Sequence, residues 1–340
     1  MKKSSILILA VLIALAGVSI YIYKTKSKTS TIDKEASDFK YKDTAAIDKI
    51  FIADKDGHQI TVEKKNGTWI LNGKHPVRPD VIQVLLYTIH SVEVKSPVSK
   101  LGRNTVIKTM AAKSTKIEIY SKGQKIKQYY VGHPTPDHLG TYMILTNLET
   151  EQNYEEPFIT HIPGFDGYLS TRYNTLENDW RDRLLINYTP PQIKQIKLDL
   201  HEIPDSSFVV DLFSMKRFGL KTKKGNIAFE EDRMKQYIAY FQNVNCELVL
   251  EKNDRLVDSL SKSGVPFATL TITDRNNGTN VCEFYHKHAL ASKNAEYGVN
   301  YTYDPDKLFV KFNNGKDYGV AQFFVFGKIL QTYQYFVPKK

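Results

Sequence analysis

Two histidines and an aspartate fall close together at His133, Asp137 and His138, in a loop that also carries Pro134 and Pro136. Imidazoles and a carboxylate are ligands that zinc accepts, and three of them leave a coordination position open for a reactive water. The second half of the chain places His286 and His288 near the corresponding position. Against a metal site, a His-x4-His spacing interrupted by prolines does not put two ligands on one helix face, and histidine is an ordinary residue of solvated turns. A second constellation is Trp180, Arg181 and Arg183, within Asn178-Asp179-Trp180-Arg181-Asp182-Arg183. The indole could stack a sugar or an aromatic group in a cleft, and the guanidiniums could bind carboxylates. The plainer reading of the same run is an inter-domain clasp.

The remaining reactive side chains argue against catalysis. Cys246 takes the place of Val94 in an internal repeat described below, which predicts a small buried side chain and not a nucleophile. Cys282 shares a strand face with Phe284, and a bridge to Cys246 is permitted outside the cytoplasm. Gly-x-Ser-x-Gly, P-loop and dinucleotide-binding glycine patterns are absent, so the common hydrolase, NTPase and dehydrogenase chemistries lack their signatures. Nothing calls for a cofactor. The formal charge of +10 does not indicate nucleic acid either. Residues 1–43 hold eight lysines against four acidic groups, so +4 sits at the N-terminus and the other +6 is dispersed without a basic run.

The elements that must position these residues form an internal duplication, residues 44–173 matching 190–340. Ile47, Ile50 and Ile52 match Ile193, Ile196 and Leu198; Trp69 and Leu71 match Phe218 and Leu220. Asp80, Ile82, Leu85, Leu86, Ile89, Val92 and Val94 correspond at constant offset to Asp232, Met234, Tyr237, Ile238, Phe241, Val244 and Cys246. Through Ile89 and Phe241 that spacing is one stripe of an amphipathic helix, with an aspartate in the first turn where the helix dipole favours it. Ile117 and Ile119 match Leu270 and Ile272, and Ile126, Gln128 and Tyr130 are set against Val281, Glu283 and Tyr285. The turns Ser121 to Gln124 and Asp274 to Gly278 carry the residues hairpins need. The expected fold is α+β, with two tandem units that each pack helices on an antiparallel sheet. Residues 174–189 read as the inter-repeat linker. Pro163 and Gly164 end a strand through Phe158 to His161, and Phe165, Tyr168 and Leu169 are expected to open a core-facing helix.

Ahead of the repeats, Ile6 to Tyr23 is an uncharged, mostly aliphatic run of 18 residues between Lys2, Lys3 and Lys24, Lys26, Lys28. As a helix of about 27 Å it nearly matches a hydrocarbon core of about 30 Å. Ala14-Leu15-Ala16 has small residues suited to signal-peptide cleavage, but apolar character continues to Tyr23, which favours an uncleaved transmembrane anchor. Lipidation is excluded because no cysteine follows the run. Residues 1–5 are a short cytoplasmic stub, residues 24–43 a polar linker, and the large part is expected in the periplasm on a single-pass inner-membrane protein. Asp43-Thr44-Ala45 and Asp258-Ser259-Leu260 resemble bacterial O-glycosylation triplets, which suits that compartment.

A family resemblance rests on six segments. They are Ile47 to Ile52, Trp69 to Gly73, Tyr129 to Gly132, Gly140 to Met143, Ile162 to Leu169 and Asp179 to Asp182. In these the chain resembles the membrane-anchored envelope proteins grouped as domain of unknown function 4340, in their Bacteroidetes form, most specifically between residues 44 and 185. The resemblance implies a single-span protein with a partner among ABC-type transport components of the kind associated with gliding, and it brings no catalytic residues. The expected function is a non-catalytic binding or scaffold subunit of an envelope or transport complex. The alternative is an envelope enzyme acting on glycan or lipid through His133, Asp137 and His138.

Overall fold

A computed structural model describes residues 13–21, 33–251, 254–292, 295 and 298–338. Residues 13–21 form a helix, α1; the rest of the run from Ile6 to Tyr23 lies outside the described residues. Among the described residues no helix is long and apolar enough to cross a membrane. The remainder is α+β and divides into two units, the first ending at Trp180 and the second beginning at Arg181.

In the first unit the chain forms β1 (Ile47–Ala53), β2 (Gln59–Lys65), β3 (Thr68–Leu71), β4 (His75–Pro76) and helix α2 (Pro79–Ser91). It continues through β5 (Glu93–Pro97), α3 (Lys100–Ala112), β6 (Thr115–Ser121), β7 (Gln124–Pro134), β8 (Thr141–Leu145), β9 (Phe158–His161) and a last turn, α4 (Glu177–Trp180). Pro79 at the head of α2 spends no hydrogen bond there, and Asp80 complements the dipole. The nine strands form one antiparallel sheet in the order β4-β3-β2-β1-β6-β7-β8-β9-β5. Successive strand residues point to opposite faces, so adjacent tyrosines part company. Tyr129 joins Ile50, Ile52, Ile117, Ile119 and the α2 stripe Ile82, Leu85 and Ile89, whereas Tyr130 joins Val106 and Met110 of α3.

The second unit repeats this plan. After β10 (Leu184–Ile186) come β11 (Ile193–Leu200), β12 (Phe208–Ser214), β13 (Arg217–Thr222), β14 (Gly225–Asn226) and α5 (Glu231–Ala239). Then follow β15 (Val244–Asn245), β16 (Leu248–Val249), α6 (Arg255–Ser263), β17 (Ala268–Asp274), β18 (Thr279–His288), β19 (Tyr303–Phe312) and β20 (Asp317–Gln322). The order β14-β13-β12-β11-β17-β18-β19-β20-β16 is that of the first sheet, strand for strand. Registers agree as well: Ile50 faces Val62 and Ile119, and Ile196 faces Val210 and Ile272. Both leading strands carry the same irregularity, between Ile47 and Lys49 and between Ile193 and Gln195.

The structure corrects four details. First, the hairpin alignment slips by two: Ile117 faces Tyr129 and Leu270 faces Cys282, so Tyr129 corresponds to Cys282, and the offset that set Gln128 against Glu283 does not hold. An even slip is hidden in the sequence because it preserves the face. Second, the stretch read as a linker from 24 to 43 is folded from residue 33 onward. Ala36 and Phe39 are buried in the first core, Phe39 edge-on against Tyr129 and Phe158 at 6.1 Å each. Its counterpart is the segment before β11: Tyr41 donates its N–H to Ile89, and Tyr188 donates likewise to Phe241. Third, Trp180 is not an unmatched linker residue. Its carbonyl accepts from Arg78 N, as the Phe336 carbonyl accepts from Glu230 N, both at 2.8 Å and both just ahead of the core helix. Fourth, Phe165 is exposed beneath the Arg172 guanidinium, and the helix after it is a single 3-10 turn, Ser170–Tyr173, entered by the buried Leu169.

Removing residues 1–32, which spares this packed segment, should therefore destabilise the first unit far less than removing residues 1–43. Removing residues 1–43 should cost at least the burial of Phe39, about 3–5 kcal/mol. Urea unfolding of the two truncated chains checks this.

Candidate functional site

His133 lies near the end of β7, its ring 4.8 Å from that of Tyr142. Asp137 closes the following turn, accepting from the Thr135 hydroxyl and from Leu139 N. The Thr135 bond, with the Leu139 amide behind it, holds the carboxyl below the usual aspartate range. His138 has left-handed backbone (φ 56°) and its ring sits 5.6 Å from that of Tyr168. The carboxylate is thus committed to the loop, and among the described residues no three His, Cys, Asp or Glu side chains form a metal-binding group. The second-half counterpart is better defined. His286 stands four residues beyond Cys282 as His133 stands four beyond Tyr129, so the two histidines occupy matching strand positions. His286 is sandwiched between Phe267 and Tyr303, ring centroids 4.4 and 4.0 Å away, and its Nε2 meets Glu202 at 2.9 Å. Sequence reasoning noticed the histidine pair but not the sandwich, because Phe267 just precedes β17, Tyr303 opens β19, and neither carries a motif.

Trp180 is fully buried, and its Nε1 donates to the Asn174 carbonyl at 3.0 Å. A stacking platform needs a free ring face, so Trp180 does not serve the ligand role expected of it. Arg181 belongs to the second unit, where it pairs with Asp317 at 2.7 Å; both side chains are about nine-tenths buried. Asp317 also accepts from Asn313. Arg183 offers its carbonyl to Cys246 N at 2.9 Å. Cys246 and Cys282 are free and buried, with no bridge between them. Burial pushes both thiols up to about 12, which leaves almost no thiolate at neutral pH.

Three concavities among the described residues are large enough for small ligands. The first unit has one of about 550 Å³, lined in part by Lys34, Asp38, Lys127, Leu145 and Tyr154. Its central cation is spent: Lys127 donates to the carbonyls of Asp38 and Lys40 and to the Asp38 carboxylate, and an ammonium has three protons. Burial lowers the Lys127 pKa. A second cavity in this unit, about 230 Å³ beside α3, is walled by Ile107, Met110, Tyr130 and Ile144 and holds no nucleophile paired with a base. In the second unit a groove of about 380 Å³ runs past Lys197, His201, Ser207 and Lys221. There His201 is turned to Thr269, Ser207 Oγ accepts from Leu200 N, and the lysines pair with Asp199 and Asp211. The central polar side chains of the first and third hollows are thus engaged with the protein's own groups. No family model, curated protein or solved structure matches the chain.

Two outcomes follow from this geometry. Thiol reagents at neutral to mildly alkaline pH should leave both cysteines unmodified in the folded chain and modify both in denaturant, as counted by mass spectrometry. Asp317→Ala, which strands the buried Arg181 charge, should destabilise the second unit by about 3–5 kcal/mol, as read by chemical denaturation.

Proposed function

We propose that this is a membrane-anchored, extracytoplasmic protein of the family it resembles, acting as a non-catalytic binding or scaffold subunit of an envelope complex. One observation carries the reading: the side chains best suited to chemistry are occupied in holding together the unit that each belongs to. Asp137 closes a turn, Lys127 clamps the N-terminal segment, Arg181 is paired with Asp317, and the thiols are buried. Residues 6–23 supply the anchor through their uncharged, lysine-bracketed run. The partner is a membrane-protein assembly, with ABC-type transport components as the first candidates, and the two units lie on the periplasmic side of the inner membrane.

Expressed with its chromosomal neighbours, the full chain should stay in the membrane fraction after alkaline carbonate washing and co-purify with at least one integral membrane protein. A chain that washes off, or that purifies alone while hydrolysing an envelope glycan or lipid, would sink the reading. Stoichiometric zinc that disappears on His133→Ala would transfer support to the enzyme alternative.

A further inference from the structure

The hairpin joining β12 to β13 ends in Phe213-Ser214-Met215-Lys216-Arg217, five consecutive exposed residues. Phe213 and Met215 are each 52% exposed. Neither is a turn former, and each leaves about half of its apolar surface in water. The duplication provides an internal control, because β2 and β3 form the corresponding hairpin, with Val62 facing Leu71 as Val210 faces Leu220. There the turn is made by Asn66 and Gly67, both with positive φ (49° and 84°), flanked by Lys65 and Thr68. The same architecture is thus served by an Asn-Gly turn in one copy and by a Met-Lys turn behind an exposed Phe213 in the other.

The apolar tip is also ordered. The Arg217 guanidinium lies 4.9 Å from the centre of the Phe213 ring. Gly219 makes room beneath that ring, since a Cβ there would come within 3.2 Å of Phe213 Cε2. No acidic residue lies in the tip, and the nearest carboxylate on β12, that of Asp211, is held by Lys221 and Gln195.

Two apolar side chains and two cations on one protruding turn are far too little for a stable protein interface, which buries about 800 Å² per partner. They are enough for interfacial insertion, in which apolar side chains sink to the acyl boundary and Lys and Arg meet anionic headgroups. We propose that the tip from Phe213 to Arg217 is a bilayer-contacting element that docks on anionic lipid. It does not require the span at residues 6–23, although it would act beside it.

The test is a nitroxide on Ser214→Cys in the full chain, whose own cysteines are buried, reconstituted in phosphatidylcholine vesicles with or without phosphatidylglycerol. With phosphatidylglycerol the label should gain accessibility to oxygen and lose accessibility to a water-soluble nickel chelate. The ratio of docked to undocked label should fall roughly fivefold for each of Lys216→Gln and Arg217→Gln, and Phe213→Ser with Met215→Ser should abolish docking without moving the thermal midpoint. A label equally exposed to the chelate in both vesicles overturns the proposal. So does a shift that follows protein concentration instead of lipid charge, because a second copy would then cover the tip. Vesicle flotation keeps the readings apart: a chain that floats with its label in water refutes the tip alone, one that floats only with phosphatidylglycerol refutes the anchor alone, and one that floats with neither refutes both.

Discussion

In each unit one buried helix is held at both of its ends by the two ends of its own repeat. Arg78 N and Glu230 N, just ahead of α2 and α5, donate to the carbonyls of the closing aromatics, Trp180 and Phe336. At the other end, Ile89 and Phe241 offer carbonyls to Tyr41 N and Tyr188 N in the opening segments. A helix leaves its first N–H and last C=O groups without internal partners, and a buried end must find them elsewhere. The chain termini of the repeat supply them here, so neither unit is complete until both its first and last segments have docked.

The same helix dictates the sheet. It connects β4 to β5, which lie at opposite edges of nine strands. Flat, those edges would stand about 38 Å apart, whereas the 13 residues of α2 span about 20 Å. The sheet must therefore curve around the helix, and a single core cluster accordingly draws Leu71, Val62, Ile50, Ile117, Tyr129, Met143 and Phe158 onto Ile82, Leu85 and Ile89. The second helix of each unit then covers the opposite face over a smaller cluster, Val106 and Met110 in the first and Val257 and Leu260 in the second.

What was legible in the sequence was whatever repeats with a period. The helix stripe from Ile82 to Ile89 and the alternation of Ile50 and Ile52 survive divergence because each position keeps an apolar partner, so their constant offset to the second half could be read directly. The closing and opening segments were not legible, for a physical reason. Each contributes one anchoring side chain, Trp180 or Phe336, Phe39 or Ile186, and makes its essential contact through the backbone, which leaves no compositional trace. Lys127 and Asn280 illustrate the difficulty. They stand at matching strand positions and both hold the opening segment, one through an ammonium on the carbonyls of Asp38 and Lys40, the other through an amide on the carbonyl of Leu185. Different chemistry performs the same service, and only the geometry reveals it. The histidine loop failed in the opposite way: three suggestive residue types lie close in sequence, but the Asp137 carboxylate turns inward to its own backbone.

This division bears on where function can reside. A position needed by the frame in both copies, such as Tyr129 and Cys282 under the core helix, is committed before any ligand arrives. A recognition surface has to be sought where the copies share architecture but not chemistry, because there the fold places no demand on the side chain. Thr68 and Arg217 open matching strands, yet one follows an Asn-Gly turn and the other an exposed Phe-Ser-Met-Lys. The repeated architecture thus separates two pressures that a single unit superimposes. Residues alike in both units report on stability, and exposed residues that differ at the cost of apolar surface in water report on something outside the chain.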